Sequence, residues 1–235
     1  MIRKLKSGKY RLYSRKVNPK TGKRRNLGTF ATREGTRMLT LHHGPQSRSS
    51  RIIWLLEELG VTDYRIAITD IPRPDGTGAV DASNPHPYKK VPALVDDDAL
   101  VTESSAIVLY LTDKFPAAGV GRPVGHPQRG AYVSWLAYYS GVIEPVLNIQ
   151  FAGLADNEPL KRTFRDVPAM HERISAALAA GPFILGKEFS GADILVASMG
   201  QFVRTFLPAG EVVDAYLARC NARPALARAL AKDRG

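Results

Sequence analysis

Residues 38–60 read MLTLHHGPQSRSSRIIWLLEELG. Leu39 and Leu41 alternate, which predicts a short strand from Met38 to His42. Gly44-Pro45 supplies a turn. After a cluster of serines, Ile52, Leu55, Leu56 and Leu59 recur at spacings of three and four, the pattern of a helix with one buried face, and Gly60 stops it. A strand–loop–helix unit carries its chemistry at the loop, where the first helical N–H groups are unpaired and the helix dipole adds partial positive charge. A serine hydroxyl at that point can hold an anion. Ser47 and Ser49 are the candidates, and the alternative is that they only cap the helix.

In VTDYRIAITD, Tyr64, Ile66 and Ile68 alternate as a second strand, completing a βαβ start. A Pro/Gly-rich run to Lys90 carries little helical signal and is expected to wind over the surface. VPALVDDD and ALVTES read as an antiparallel hairpin turning on acids, and SSAIVLYLTDKF as a helix burying Ile107 and Leu111. Residues 116–127 are Gly/Pro-rich and read as a linker. From Gln128 onward strand signals vanish. AYVSWLAYYSGVIEPVLNIQFAG predicts a long helix bent or broken near Gly141 or Pro145. Leu160–Leu178 predicts another, ended by Gly181-Pro182. FSGADILVASMGQFVRTFL predicts a third, and VVDAYLARC and PALARALAK two short last ones. The expected organisation is a basic extension (1–37), a small α/β unit (38–115), a linker (116–127) and an all-helical unit (128–235).

The chain has 235 residues, enough for a sizeable core. No apolar run approaches membrane-spanning length, and no signal peptide is visible at the N-terminus. A single cysteine, Cys220, excludes an intramolecular disulfide and suits a reducing, cytoplasmic setting. The net charge of +11 is local: residues 1–37 hold 13 Lys or Arg against one acid, Glu34, and the remainder is nearly balanced. The body therefore gives no electrostatic reason to expect nucleic acid.

Residues 1–37 read as a strand (KYRLYSRK), a turn (Asn18 to Lys23), a second strand (RRNLGTF) and a helix start at Ala31–Glu34 capped by Thr32, which Gly35 cuts short. The hairpin resembles small basic β-hairpin modules, including the arm-binding N-terminal domains of phage-type integrases, which implies weak phosphate binding. Without a covering helix a lone hairpin is marginally stable. The expectation is an accessory appendage, with Met38 the original start of the body.

Three motifs of the body stand in one order: SRSSRIIWLLEELG, then KKVPALVDDDALVTESSAIVLYL, then FSGADILVAS. In that order and spacing they resemble the cytosolic glutathione transferases, over nearly all of residues 38–235, and most closely bacterial members of the serine or theta-like kind. The resemblance implies a thioredoxin-like α/β domain, an all-α C-terminal domain and a homodimer, acting as a detoxification enzyme. Val91-Pro92 matches the family's pair in which the proline is cis, presenting the Val91 backbone to the cysteinyl part of glutathione. Glu103-Ser104 matches the pair that binds the γ-glutamyl end, Ser104 with the helix-start N–H groups taking the carboxylate and Glu103 the ammonium; as a cap alone, Ser104 would be structural. Lys90 matches a polar glutathione contact, with Lys89 a competitor. Ser190-Gly191-Ala192-Asp193 resembles the family's capping motif, in which Ser190 and Asp193 satisfy the start of a buried helix.

Family members favour the glutathione thiolate with a Tyr, Ser or Cys at the helix start. No tyrosine stands between Met38 and Tyr64, and Cys220 lies in a late helix. Serine remains. Ser47, four residues before Arg51, has the spacing of the catalytic serine in theta-like members; Ser49 and a backbone N–H are the alternatives. His42 and His43 would point to opposite faces of a strand, and no further His or Cys stands at ligand spacing, so no metal is expected. A hydrophobic electrophile would lie between the domains, near Trp135, Tyr138, Tyr139 and Phe151, most of which are expected in core or dimer packing. The reading is conjugation of glutathione, as co-substrate, to hydrophobic electrophiles. A glutathione-dependent peroxidase, a non-catalytic binding protein of the fold and a nucleic-acid-associated protein acting through residues 1–37 are the alternatives.

Overall fold

The computed structural model describes residues 2–30, 39–73 and 75–234. The N-terminal segment carries three strands rather than two: β1 (Ile2–Lys4), β2 (Tyr10–Val17) and β3 (Arg24–Phe30), antiparallel in the order β1-β2-β3. Asn18 builds the turn as expected, its side-chain oxygen accepting the N–H of Lys20 at 2.8 Å. The expected helix start at Ala31–Glu34 with its cap Thr32, and the start at Met38, lie outside the described residues.

The body opens with β4 (Leu39–His43), α1 (Ser50–Glu58) and β5 (Tyr64–Ile68). β4 and β5 pair in parallel, so α1 is the crossover that such a pair requires. Gly60, at φ +66, takes the left-handed turn that ends α1. β6 (Ala93–Asp96) and β7 (Ala99–Thr102) form the expected hairpin, and the sheet order is β5-β4-β6-β7. α2 (Ser104–Lys114) follows. This is the thioredoxin-like domain.

Among the described residues, the region between β5 and β6 has no regular element. Buried Asn84 holds it together: Nδ2 donates to the Lys90 carbonyl at 2.9 Å, Oδ1 accepts from His86 N–H at 3.0 Å, and the Asn84 carbonyl accepts from Lys89 Nζ at 2.7 Å. The loop ends at Val91-Pro92, whose peptide bond is cis.

Seven helices follow among the described residues: α3 (Arg129–Tyr138), α4 (Glu144–Phe151), α5 (Glu158–Phe164), α6 (Val167–Ala179), α7 (Gly191–Phe202), α8 (Glu211–Asn221) and α9 (Pro224–Asp233). A π-helical segment, Tyr139–Ile143, joins α3 to α4. Pro145 has no N–H for the carbonyl of Gly141, so the helical ladder must widen there. The single helix expected over Leu160–Leu178 is two. Asp166 caps α6 by accepting Ala169 N–H at 2.9 Å, with Pro168 in the first turn, and Arg165 turns the chain at φ +75.

α7 is the central helix, buried from Gly191 to Met199. Asp193 Oδ2 accepts from the Ser190 N–H and hydroxyl at 2.8 and 2.9 Å, and Oδ1 from Ile184 N–H at 2.8 Å. A Cβ on Gly191 would stand 2.5 Å from Val108 Cγ1 and 2.6 Å from the Tyr132 hydroxyl, so only glycine lets α7 sit this close to α2 and α3.

The sequence pattern gave α1 one buried face. In the structure Arg51, Ile52, Ile53, Trp54, Leu55, Leu56 and Glu57 are all buried. The helix packs against α2 of its own domain and against α7 and α9 of the helical domain, so α1 is the joint between the two domains.

Candidate functional site

The sheet register decides which loops meet. His42 pairs with Ala93, and Ala93 with Thr102. The C-terminal end of β4, the N-terminal end of β6 and the C-terminal end of β7 therefore lie side by side. From these ends emerge the serine loop before α1, the Val91-Pro92 segment, and Glu103 leading into α2. Sequence-distant candidates are thus brought to one edge by topology.

Three of the non-glycine residues at positive φ sit in these segments: Gln46 (φ +53), Lys89 (φ +56) and Glu103 (φ +69). Such backbone costs on the order of 1–3 kcal/mol and collects at functional sites. Glu103 is exposed and occupies the N-cap position of α2 without a side-chain cap bond, whereas Ser104 is buried one residue further in. The alternative of Ser104 as the cap is therefore set aside, and the first N–H groups of α2 have no side-chain acceptor there. The β6 ladder starts at Ala93, and among the described residues no backbone hydrogen bond engages Val91, which is half-buried. Lys90 is exposed; Lys89 Nζ is turned back on its own loop, bonding the Asn84 carbonyl.

In the serine loop, Ser47 is half-buried and Ser49 wholly buried. Ser47 Oγ donates to the Gly44 carbonyl at 2.6 Å and lies 2.8 Å from Ser49 Oγ. Ser49 Oγ is further bonded to His43 Nδ1 at 2.8 Å and accepts Gly44 N–H at 3.1 Å. Ser49 is thus enclosed by protein partners, and Ser47 is the member of the pair that reaches outward. His43 points into the protein and His42 is half-buried, as alternation on a strand demands. Burial, opposed by Asp233, lowers the His43 pKa.

Helix α1 is pinned at both ends. Arg51, buried, donates from Nη1 to the Tyr139 hydroxyl at 2.6 Å and to Glu144 Oε1 at 3.2 Å, while Arg48 Nε donates to the same oxygen at 2.9 Å. Burial works against ionising Glu144, but the two guanidiniums hold its carboxyl below the usual range. At the other end, Arg223 grips Glu58 through two bonds of 2.6 and 2.7 Å, and Arg228 and Lys232 pair with Glu57. Here too burial pushes the Glu57 pKa up, and Lys232 and Arg228 outweigh it. Sequence reasoning missed these partners and missed Asp233. Their only signal was the acidic pair after a basic start in one helix.

A cavity of about 540 Å³ opens between α1, α7 and α9, lined by Gln46, Ser50, Arg51, Trp54, Phe202 and Asp233 among others. It lies between the domains, but not along the aromatic helix. Trp135, Tyr138 and Tyr139 are buried in packing, with Arg173 lying over Trp135 and Tyr138, and Phe151 is exposed. Arg51 lines the cavity, and its Nε is buried and without a hydrogen-bond partner among the described residues.

Residues 41–122 match the family described as glutathione S-transferase, N-terminal domain. Over 177 residues, 66% of this chain and 70% of its counterpart, the sequence is 29% identical to glutathione S-transferase 3 of Schizosaccharomyces pombe. A glutathione S-transferase of Actinobacillus pleuropneumoniae superposes with a TM-score of 0.70 at 28% identity, covering 84% of this chain and 94% of that one. Residues 41–122 belong to the glutathione S-transferase N-terminal domain family, and the chain has the glutathione transferase fold. A sphingomonad glutathione S-transferase solved in complex with glutathione is also similar, with a TM-score of 0.65 at 26% identity over 83% of this chain and 98% of that one. Several other curated relatives are matched over about half their length. No helix among the described residues is long and apolar enough to cross a membrane, and no cluster there has metal-ligand composition.

Proposed function

We propose that the protein conjugates the thiolate of glutathione to hydrophobic electrophiles. The observation that carries this reading is the register His42–Ala93–Thr102, which puts the serine loop, Val91 and Glu103-Ser104 at one edge of the sheet. Glutathione would lie across that edge. Its γ-glutamyl carboxylate takes the uncapped N–H groups of α2 with Ser104, and its ammonium takes Glu103. Its cysteinyl backbone pairs with Val91, whose N–H and C=O stand ahead of the ladder. Lys90 adds a polar contact at the exposed rim. The sulfur then meets the start of α1, where the helix dipole and the Ser47 hydroxyl favour the anion.

The electrophile would enter the cavity between α1, α7 and α9. Trp54, Phe202 and Leu226 give it an apolar wall. The protein would act in the cytoplasm as a homodimer, with no metal, and the same thiolate could instead reduce a peroxide. A panel of electrophiles and peroxides with glutathione, run on the wild type and Ser47→Ala, tests this. Activity that falls about a hundredfold in Ser47→Ala supports it. A folded wild type with neither glutathione binding nor thiol transfer sinks it.

A further inference from the structure

Behind Ser47 runs a buried chain of hydrogen bonds that glutathione binding alone does not require. His43 is fully buried at the end of β4. Its Nε2 lies 3.1 Å from the Asp233 carbonyl oxygen and 3.5 Å from Asp233 Oδ1. Both neighbours are acceptors, so Nε2 carries the proton and the neutral ring offers a bare Nδ1. Ser49 Oγ, 2.8 Å away, is the donor that fits it, closer than the Gly44 carbonyl that the same hydroxyl reaches at 3.1 Å. The Ser49 lone pairs then face the Gly44 N–H at 3.1 Å and the Ser47 hydroxyl at 2.8 Å. Among the described residues Ser47 Oγ–H has the Gly44 carbonyl and Ser49 Oγ as acceptors, and Ser47 Oγ itself accepts the Ser49 N–H at 3.2 Å, so one lone pair is left for an incoming thiol.

That polarity suits a thiol better than a thiolate. We propose that His43 and Asp233 are the inner end of a proton relay through which Ser47 and Ser49 take the thiol proton of glutathione. The inference rests on the glutathione reading above. In the step, the S–H bond breaks and its proton goes to Ser47 Oγ. Ser47 turns its own O–H from the Gly44 carbonyl to Ser49 Oγ, 2.8 Å away, and passes that proton on, and Ser49 passes its own to His43 Nδ1. One S–H bond is lost and one N–H bond gained, each hydroxyl gives and receives one proton, and nothing is oxidised or reduced. The chain is now reversed, and Ser47 O–H points at the sulfur as the donor a thiolate needs. The proton leaves to water along the same hydroxyls after the thioether departs.

Asp233 is the charged group set against the ring, and its geometry matches an imidazolium. Oδ2 is fixed by Gln46 N–H at 3.1 Å, and Oδ1 is buried without a hydrogen bond among the described residues. An unpartnered buried carboxylate oxygen is costly, and positive charge on the ring, whose Nε2 lies 3.5 Å away, offsets that cost electrostatically. Burial keeps the ring neutral at rest, and Asp233 opposes that burial. His43 and Asp233 act through the serines and are positioning residues.

The test uses the full-length protein and two variants, His43→Gln and the near-isosteric Asp233→Asn, the second guarding against a folding defect at the buried ring. The ultraviolet absorbance of the bound thiolate is followed against pH, and affinity for S-methylglutathione, which has no thiol proton, is measured by calorimetry. The expected result is unchanged S-methylglutathione affinity with a bound-thiol pKa raised by about one unit or more, a tenfold loss of thiolate. In the wild type, glutathione but not S-methylglutathione should move the His43 ring-nitrogen resonances to the imidazolium pattern. Thiol titrations of both folded variants that overlay the wild type would overturn the relay while leaving the glutathione site intact. A wild type that binds neither ligand removes the glutathione reading, and the relay with it.

Discussion

Arg51→Met tests whether α1 is held by the charge cluster at its N-terminal end. Arg51 has 2% of its side chain exposed and Glu144 20%, so the pair is poorly screened. Methionine keeps most of the buried stem and its packing, which isolates the polar loss. That loss comprises the bonds to the Tyr139 hydroxyl at 2.6 Å and Glu144 at 3.2 Å, and the guanidinium over the Tyr139 ring at 5.1 Å. Removing one partner of a buried ion pair costs about 3–5 kcal/mol, because the other charge is stranded. Glu144 keeps Arg48 at 2.9 Å, so the lower end of that range, about 3 kcal/mol, applies. Urea unfolding with linear extrapolation reads it, in a cycle with Glu144→Gln and the double variant. Because Arg51 and Glu144 touch, the double variant should cost less than the sum of the singles by about 1 kcal/mol or more. The pH dependence adds a second reading. Glu144 has a folded pKa below its ordinary value near 4.5, so its stabilisation is present above that value and is lost as pH falls through the folded pKa. The stability of Arg51→Met should therefore decline less steeply in that acid window. A single-variant cost under about 1 kcal/mol, or strict additivity, would refute the pinning argument.

Glu103→Gly should relieve the backbone at φ +69 and raise the melting temperature slightly, while weakening glutathione binding about tenfold through the lost ammonium contact, measured by calorimetry. Ser190→Ala should cost on the order of 1 kcal/mol in urea unfolding, and Asp193→Ala about 3 kcal/mol, since the second strands the buried N–H groups of Ser190 and Ile184. Burial raises the Asp193 pKa to about 6, so its charged form is disfavoured when folded: this group's contribution weakens as pH rises from about 4 to about 6, and Asp193→Asn should flatten that part of the stability profile. Gly191→Ala should cost about 1–3 kcal/mol from overpacking against Val108 and Tyr132, read by the shift in urea midpoint. Removal of residues 1–37 should leave both stability and glutathione binding unchanged; a large loss of either would show that the basic strands are part of the working unit.

What the sequence made legible was local. The β4–α1–β5 start, the β6–β7 hairpin and the Ser190–Asp193 cap each rest on residues within a few positions of one another. The cis Val91-Pro92 bond was legible only through resemblance. Pairings across the chain left no such trace: Arg51 with Tyr139 is 88 residues apart, and His43 with Asp233 is 190. Periodicity reports how apolar a face is, not what covers the polar one, so α1 read as half-exposed although charged partners bury its other side. The split between α5 and α6 was in the sequence, since Asp166 and Pro168 are a cap and a first-turn proline. The apolar rhythm running through them concealed it.

The charges of α1 run against its own dipole. Arg48 stands just before its N-cap and Arg51 in its first turn, its C-terminal turn carries Glu57 and Glu58, and no acid stands in the first turn. Each placement is the unfavourable one for an isolated helix, by a few tenths of a kcal/mol to about 1 kcal/mol. An acid in the first turn would help the helix, but it would also repel any anion held at Ser47. The structure resolves this by supplying compensation from the other domain: Glu144 lies beyond the arginines, and Arg223, Arg228 and Lys232 cover the acids. The helix start therefore stays free of acidic side chains of its own, and the stability that α1 forgoes locally is recovered only when the two domains are docked. An anion site at Ser47 and the docking of the helical domain are on this argument one device, so variants that loosen the Glu57–Glu58 end should weaken glutathione binding at the opposite end of the helix.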